Sequence, residues 1–146
     1  MSKKNIYRKG VKNAKEKLMI REKLEEIGKQ IIDAAYCVHK ALGPGLLESA
    51  YEACLVMELI LRGFKVERQK TLPVFYKGKK LDVGYRLDLL VENEIIIELK
   101  AVEKLLPIHE AQLISYLKLS DKRLGYLINF NVSLIKDGII RKVNNI

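Results

Sequence analysis

The spacing of the apolar residues changes at Gly63, and this change constrains the fold more than any other feature of the chain. Over residues 24–42, apolar side chains recur every three or four positions, which predicts one amphipathic helix that ends at the Gly-Pro-Gly segment 43–45. A second helix is predicted over residues 46–62. Because it is apolar almost all round, we expect it to be largely buried.

After Gly63 the pattern becomes typical of β-strands. The predicted elements are strands at residues 64–69, 72–76, 85–91 and 95–100, a turn at 77–80, a helix at 107–119 and strands at 124–130 and 139–143. This order predicts an α/β fold in which a central mixed β-sheet is flanked by helices. A length of 146 residues suits one core, so a single domain over residues 21–146 is expected.

Positive charge is concentrated near the N-terminus. Residues 1–23 contain nine Lys or Arg and two acidic residues, in a chain whose formal net charge is +9. Residues 1–20 are therefore predicted to form a flexible basic arm that is dispensable for folding. Such an arm either contacts phosphates and releases counterions or serves as a solubilising tail, and the sequence leaves both interpretations open.

Three further features bear on the cellular setting. The chain has no apolar run of about 18 residues, so no transmembrane helix and no membrane partner are expected. No apolar stretch with a small-residue cleavage site follows the basic N-terminus, so we expect a cytoplasmic location rather than secretion. Cys37 and Cys54 are expected to be two buried thiols, because they form no metal-binding pattern with the histidines.

Charged residues on two consecutive predicted strands suggest chemistry. Glu98 and Lys100 are two positions apart and therefore share a strand face, while the preceding strand carries one acid, Asp88. Charges in so aliphatic a segment are costly unless they are paired or bind a ligand. Two carboxylates on neighbouring strands suit Mg²⁺, and a lysine beside them suits water activation or charge stabilisation at phosphorus. The alternative is an internal salt bridge between Lys100 and one of the acids.

The hairpin that joins these two strands must have a particular loop for the acids to meet. If Asp88 and Glu98 are directly opposed, residues 92–94 form a three-residue loop. A two-residue loop would shift the register by one position and separate the acids. The three-residue loop is therefore predicted, with Asn93 or Glu94 in the left-handed region.

These residues resemble two known sequence signatures. Asp88 followed by the segment 98–100 (ELK) is similar to the D…(D/E)xK signature of the PD-(D/E)XK phosphodiesterase superfamily. More specifically, residues 45–51 (GLLESAY) match the motif of the GxxExxY protein family, with Phe64 and the later segments following in that family's order. The resemblance covers roughly residues 25–146. It implies a restriction-endonuclease-like domain with an αβββαβ core.

The resemblance also implies roles for individual residues. Glu48 matches an acid on the helix before the sheet, so Glu48, Asp88 and Glu98 are expected to bind Mg²⁺ or Mn²⁺, and Lys100 to assist the attacking water. Without the resemblance, Glu48 is simply an acid that the helix macrodipole favours at a helix start. Tyr51 shares a helix face with Glu48, and it either orients that carboxylate or packs in the core.

The third predicted helix carries a polar stripe of His109, Gln112 and Tyr116. Gln112 and Tyr116 resemble the QxxxY motif of RecB-like nucleases, whose glutamine and tyrosine lie beside the active site, so both are included among the expected catalytic residues. An ordinary polar stripe is the alternative. His109 is not part of a zinc-binding HExxH motif because no second histidine follows. His39 is expected to be structural.

Together these patterns support one principal hypothesis. The chain is expected to be a metal-dependent nuclease or related phosphodiesterase that acts on nucleic acid, with DNA favoured over RNA. Two alternatives remain open: a non-catalytic module that keeps the fold and binds nucleic acid or protein, and a subunit of a homo-oligomer or larger complex. Binding of a divalent metal through the three acids distinguishes an enzyme from a scaffold.

Overall fold

The computed structural model describes the backbone of residues 3–146 and the side chains of residues 14–146. Its elements are α1 (Lys3–Leu42), α2 (Glu48–Leu61), β1 (Val66–Tyr76), β2 (Lys79–Val91), β3 (Ile95–Lys100), α3 (Pro107–Ser120), β4 (Leu124–Asn129), a 3-10 helix (Ile135–Gly138) and β5 (Ile139–Val143). From α2 to β4, the order of the elements is the predicted αβββαβ core.

The described strands form one mixed sheet in the order β1-β2-β3-β4-β5. Neighbouring strands are antiparallel except β3 and β4, which are parallel. A parallel pair needs a crossover connection, and α3 provides it. The predicted α/β fold with a central mixed sheet is thus confirmed.

Helices cover the inner part of the sheet on both faces. Alternate residues of β3 belong to two different clusters of buried side chains: Ile97 packs with α1 and α2, whereas Ile96 packs with α3. This alternation is the period-two geometry of a strand. All six residues of β4 and the first five of β3 are buried, as expected for strands covered on both faces.

The predicted loop between β2 and β3 is confirmed. Val91 pairs with Ile95, so three residues connect the strands. Asn93 has a φ of 55° and Glu92 a φ of 52°, which places both in the left-handed region. The register that brings Asp88 towards Glu98 is therefore present.

The first hairpin differs from the prediction. The strands predicted at residues 64–69 and 72–76 are one continuous strand, β1, and the turn contains only Lys77 and Gly78. Pro73 lies inside β1, which is tolerated because β1 is an edge strand and one side of it needs no hydrogen-bond donors. Gln69, the last residue of the first predicted strand, has a φ of 50° but does not end the observed strand.

Two predictions about burial are wrong. Helix α2 is not largely buried, because it packs on the protein along only one side and leaves Met57, Ile60 and Leu61 more than half exposed. Cys37 is also exposed, and Cys54 is only partly buried. For α2, the apolar composition predicted deeper burial than a helix that packs along one side allows.

Helix α1 begins at Lys3 rather than near Leu24, where the periodic pattern starts. Residues 1 and 2 and the side chains of residues 3–13 lie outside the described part of the chain, so the predicted basic arm over residues 1–20 stays a prediction. Within the described residues, no helix combines the length and apolarity needed to cross a membrane.

Candidate active site

Two carboxylates, Asp88 of β2 and Glu98 of β3, form the centre of the candidate site. The backbone N–H of Asp88 donates to Oε2 of Glu98 at 3.1 Å. The backbone N–H of Leu99 donates to Oδ2 of Asp88 at 2.8 Å. Each acid therefore binds the backbone of the neighbouring strand, and these two hydrogen bonds hold the acids side by side.

Strand β2 is irregular at Asp88. Its ladder with β1 skips Asp88, and its ladder with β3 begins at Leu89. Leu87 packs with α3, whereas Leu89 packs with α1 and α2, although residues two apart in a regular strand share a face. This interruption takes Asp88 out of the backbone ladders and makes its N–H available to the carboxylate of Glu98.

The environment of Glu98 opposes a negative charge. Its side chain is 5% exposed. Burial, followed by the nearby carboxyl group of Asp88, raises the pKa of Glu98 to about 9, against smaller opposing effects of the Asp88 N–H and of Lys100. At neutral pH this carboxyl group holds a proton unless a cation replaces it.

Lys100 ends β3 next to the two acids. Parallel pairing places it opposite Asn129 of β4. Among the side chains that the structure describes, no ion pair within 4.0 Å joins Lys100 to Asp88 or Glu98, so the internal salt bridge considered from the sequence is not formed there. Its positive charge nevertheless lowers the pKa of Glu98 and of Glu48.

Glu48 is the first residue of α2 and lies within electrostatic reach of the same acids. Desolvation, followed by the charge of Asp88, raises the pKa of Glu48, while Lys100 lowers it. The helix N-terminus favours a negative charge at this position. The structure therefore brings Glu48 into the same region as Asp88, Glu98 and Lys100.

Tyr51 secures the loop before α2. Its hydroxyl donates to the carbonyl oxygen of Gly43 at 2.6 Å and accepts from the N–H of Leu46 at 3.0 Å. Its buried ring stacks on Phe130, with the ring centroids 4.7 Å apart. Of the two roles considered for Tyr51, packing in the core is the one observed, and contact with Glu48 is not.

The loop before α2 requires glycine at two positions. Gly43 and Gly45 have φ values of 70° and 95°, which other residues adopt at a cost. The N–H of Gly45 donates to Oδ1 of Asn131, just after β4, at 3.0 Å. The loop is thus attached both to α2 and to the end of the central sheet, and this attachment fixes the position of Glu48.

Tyr116 of α3 is close to both central acids. Burial raises the pKa of Tyr116, and the charges of Glu98 and Asp88 raise it further, while a hydrogen bond with the Gln112 side chain lowers it. The ring of Tyr116 contacts the ring of Tyr85, with centroids 5.3 Å apart. Gln112 is exposed and connects to the site through Tyr116.

Both histidines have structural contacts. Nε2 of His39 lies 2.7 Å from the carbonyl oxygen of Val132, which joins the end of α1 to the segment after β4. Nδ1 of His109 accepts the N–H of Leu106 at 3.0 Å and so satisfies a donor at the start of α3. Neither contact brings a histidine to the carboxylates.

Glu52 is a buried acid that sequence analysis missed. Its Oε1 accepts from Nε2 of Gln69 at 2.6 Å, and its Oε2 accepts from Arg68 at 3.2 Å. These contacts attach α2 to β1 at the position where β1 passes Asp88. The available signal was spacing, because Glu52 lies one helical turn after Glu48.

Asn129 is a second missed residue. Its Oδ1 accepts the N–H groups of Val102 and Asn131 at 3.1 and 3.2 Å, and its Nδ2 donates to the carbonyl oxygen of Val102 at 2.9 Å. It thereby fixes the backbone directly after Lys100. A polar residue within an otherwise apolar strand was the signal for it.

The acids suit a hard cation but do not form a complete ligand set. Among the described residues, no group of three or more His, Cys, Asp or Glu side chains is arranged to hold a metal ion. Carboxylate oxygens are nevertheless the ligands that Mg²⁺ and Mn²⁺ prefer. Asp88 and Glu98 are closely spaced, and Glu98 is destabilised as an anion, so the pair suits such an ion. Glu48 is the nearby acid that could join them as a ligand.

Comparison with known proteins agrees with this architecture. The model of one protein family, described as the PD-(D/E)XK nuclease superfamily, matches residues 25–142. No curated protein and no solved structure matches the chain significantly. The matched region contains the carboxylates described above and the sheet except Val143, the last residue of β5, and the predicted restriction-endonuclease-like fold is confirmed. The chain belongs to the PD-(D/E)XK nuclease superfamily.

Proposed function

We propose that this protein is a divalent-metal-dependent nuclease that hydrolyses phosphodiester bonds in nucleic acid. The observation that carries the proposal is the Asp88–Glu98 pair, held by two hydrogen bonds to the backbone, with the pKa of Glu98 raised to about 9. A buried acid in such surroundings destabilises the fold once it ionises. A bound cation offsets that destabilisation and so explains why an acid occupies this position. Membership in a nuclease superfamily supports the same conclusion.

In this proposal Asp88 and Glu98 hold Mg²⁺ or Mn²⁺, and Glu48 approaches as a third ligand. When bound, the cation supplies a Lewis acid that makes water more acidic and offsets negative charge on the phosphate. Lys100, which makes no close ion pair with either acid, orients the attacking water and stabilises the charge that develops at phosphorus.

Tyr116 and Gln112 act as supporting residues. The pKa of Tyr116 is raised, so its hydroxyl stays protonated and can donate a hydrogen bond to a carboxylate or a phosphate oxygen. Gln112 bonds to that hydroxyl from an exposed position, where it can also contact the substrate backbone. The role of Tyr116 follows from its place near Asp88 and Glu98, and the role of Gln112 follows from its hydrogen bond to Tyr116.

We further infer that the chain belongs to the GxxExxY group within the superfamily and acts on DNA rather than RNA. The loop geometry supports the group assignment, because Gly45 and Tyr51 of that motif both hold the segment that positions Glu48.

One observation favours the alternative of a non-catalytic binding module. No three acidic or histidine side chains among the described residues already form a metal-binding cluster. A protein that keeps the fold but has lost the reaction would need no such cluster. Measurement of metal binding therefore distinguishes the nuclease from the non-catalytic binding module.

The test combines thermal melting with a cleavage assay. The wild-type protein is incubated with single- and double-stranded DNA and RNA in the presence of Mg²⁺, Mn²⁺ or EDTA. An ion that binds only the folded state at 100 times its Kd should stabilise that state by about 2.7 kcal/mol, so melting should shift upwards and cleavage should require metal. Glu98→Ala should lose both effects.

Two further variants sharpen the test. Lys100→Ala should keep the metal-dependent melting shift but lose hydrolysis, because its role is in the transition state. Glu26→Ala, which removes an exposed acid on α1, is the matched control and should behave like the wild type. If the wild type shows neither a melting shift nor cleavage of any substrate, the nuclease proposal is wrong and the binding module takes its place.

A further inference from the structure

The outer part of the β1–β2 hairpin, residues 71–86, projects from the body of the protein. Most of its side chains are exposed, including three aromatic rings: Tyr76 (63% exposed), Phe75 (58%) and Tyr85 (43%). The segment contains four Lys or Arg and one acidic residue. We call it the outer hairpin. Exposed rings on a basic ribbon are unusual for a surface that only faces water.

The register assigns the aromatic rings to two different faces. Leu72 pairs with Tyr85, and Tyr76 pairs with Lys79. The ladder shifts its register between Pro73 and Phe75, but the paired positions stay an even number of residues apart on both strands, which assigns these four residues to one face. Leu72 also packs against the cluster beneath α3, so this is the face that α3 covers farther along the sheet. We call it the tyrosine face. Phe75 and its partner Lys80 lie on the opposite face.

The tyrosine face is continuous with the candidate active site. The ring of Tyr85 contacts the ring of Tyr116, and Tyr116 lies close enough to Glu98 and Asp88 to respond to their charges. In the other direction, the four residue steps from Leu72 to Tyr76 span about 13 Å of strand. At the tip, Nζ of Lys77 lies 5.5 Å from the centre of the Tyr76 ring. Rings and ammonium groups therefore extend from the carboxylates to the end of the hairpin.

We propose that the tyrosine face binds single-stranded nucleic acid and leads it to the carboxylates. Unpaired bases stack on exposed aromatic rings, and lysines beside the rings contact the backbone phosphates. In a duplex the bases are already stacked on one another, so they are not available to stack on the exposed tyrosines. The inference rests on the proposed function, since it names the form of nucleic acid that reaches the same site.

Binding is measured without cleavage, so that this inference and the nuclease proposal fail separately. The full-length protein is titrated into fluorescently labelled oligonucleotides in EDTA, and anisotropy is recorded. The probes are a single-stranded DNA, the RNA of the same sequence and the corresponding DNA duplex. We expect both single strands to bind more tightly than the duplex.

Two tyrosines on one face and a phenylalanine on the other provide a matched comparison. Tyr76→Ala and Tyr85→Ala should each weaken single-strand binding by roughly tenfold, as expected for the loss of one stacked base. Phe75→Ala removes an equally exposed ring from the same tip and should bind like the wild type. Tyr76 makes no core contact, so its variant stays informative even if Tyr85→Ala loses stability.

Three outcomes would overturn the proposal. The first is equal binding by all four proteins, and the second is tighter binding of the duplex than of either single strand. The third is a concentration-dependent dimer in sedimentation that Tyr76→Ala disrupts, which would assign the tyrosine face to a second copy of the chain. Selective loss of single-strand binding in the tyrosine variants, with or without any cleavage in Mg²⁺, supports it.

Discussion

The two parts of strand β2 lie in different environments. Its first eight residues are exposed, whereas the last five are buried or half-buried. The exposed part pairs only with β1, which is itself an edge strand, while the buried part lies between β1 and β3 and beneath the helices. Asp88 lies just inside the boundary, at the interruption in the ladders.

This difference means that the inner part of the sheet stabilises the fold, whereas the outer hairpin is available for contacts. The inner part of the sheet has apolar neighbours on both faces, so its sequence is constrained by packing. The outer hairpin contacts the body of the protein at its base, where Leu72 packs against the cluster beneath α3 and Tyr85 contacts Tyr116. Its remaining contacts are mainly between its own two strands, and an isolated two-stranded ribbon is marginally stable in water. Its aromatic and basic residues are therefore better explained by binding than by stability.

The largest expected effect is a loss of stability when a leucine is truncated. We compare one such substitution in the inner sheet with one in the outer hairpin. Leu127→Ala in β4 removes a fully buried side chain and should lower the free energy of unfolding by about 2–5 kcal/mol. Leu81→Ala removes the same atoms from the outer hairpin, where the side chain is 40% exposed, and should cost less than about 1 kcal/mol. Urea denaturation measures both. Equal losses would show that the outer hairpin belongs to the core.

A second, intermediate effect concerns the boundary between the two parts. The pKa of Glu98 rises from 4.5 in the unfolded chain to about 9 in the fold. The folded state therefore binds the proton more tightly, so the stability contributed by protonated Glu98 is complete below about pH 4.5 and is lost as pH rises towards 9. In EDTA, wild-type stability should fall with pH relative to Glu98→Gln, by at most about 1.4 kcal/mol per pH unit.

Denaturation of both proteins across this pH range gives the comparison, because other titrating groups are shared and cancel. Mg²⁺ added near pH 9 should recover part of the wild-type stability, since the cation compensates the ionised carboxylates. Parallel pH profiles for the wild type and Glu98→Gln would contradict the raised pKa. The same result would remove the main physical argument for a cation at this position.

The smallest expected effect comes from shortening the outer hairpin. Replacement of residues 73–84 by Asn-Gly would join Leu72 directly to Tyr85 through a two-residue turn. The free energy of unfolding should change by less than about 1 kcal/mol, because few buried contacts are removed. Single-strand binding should weaken, since Tyr76 is lost. Loss of cooperative unfolding, followed by circular dichroism, would show that the hairpin is needed for the fold.

The inner sheet could be predicted from the sequence because its signals are local. The run Ile95–Lys100 predicted β3 to the residue, and the requirement that Asp88 oppose Glu98 predicted the three-residue loop. The approach of Glu48 to these acids followed from a resemblance rather than from spacing. Physical reasoning alone also allowed Glu48 to be an acid that merely favours a helix start. The position of a residue in a helix does not reveal which residues of other elements lie near its side chain.

The first hairpin was predicted less well because a distant contact holds it. Two strands were predicted there, at residues 64–69 and 72–76, with residues 70 and 71 between them. In the structure, Glu52 of α2 bonds to Gln69 and Arg68, and the strand continues through a residue with positive φ. That interaction joins segments 17 residues apart, which no local pattern records. The outer face of α2 was mispredicted for a similar reason: composition cannot tell which side of a helix lacks a neighbour.

The parallel pairing of β3 with β4 also affects how the protein folds. Glu98 pairs with Leu127, so its burial requires the chain to travel through the whole of α3 and return. Contacts between residues so far apart in sequence form late and slowly. In the unfolded chain, Glu98 is hydrated and can ionise freely. The acid therefore becomes costly only as the sheet closes, so the rate of folding, as well as the stability of the product, should depend on whether a proton or a cation is present at that step.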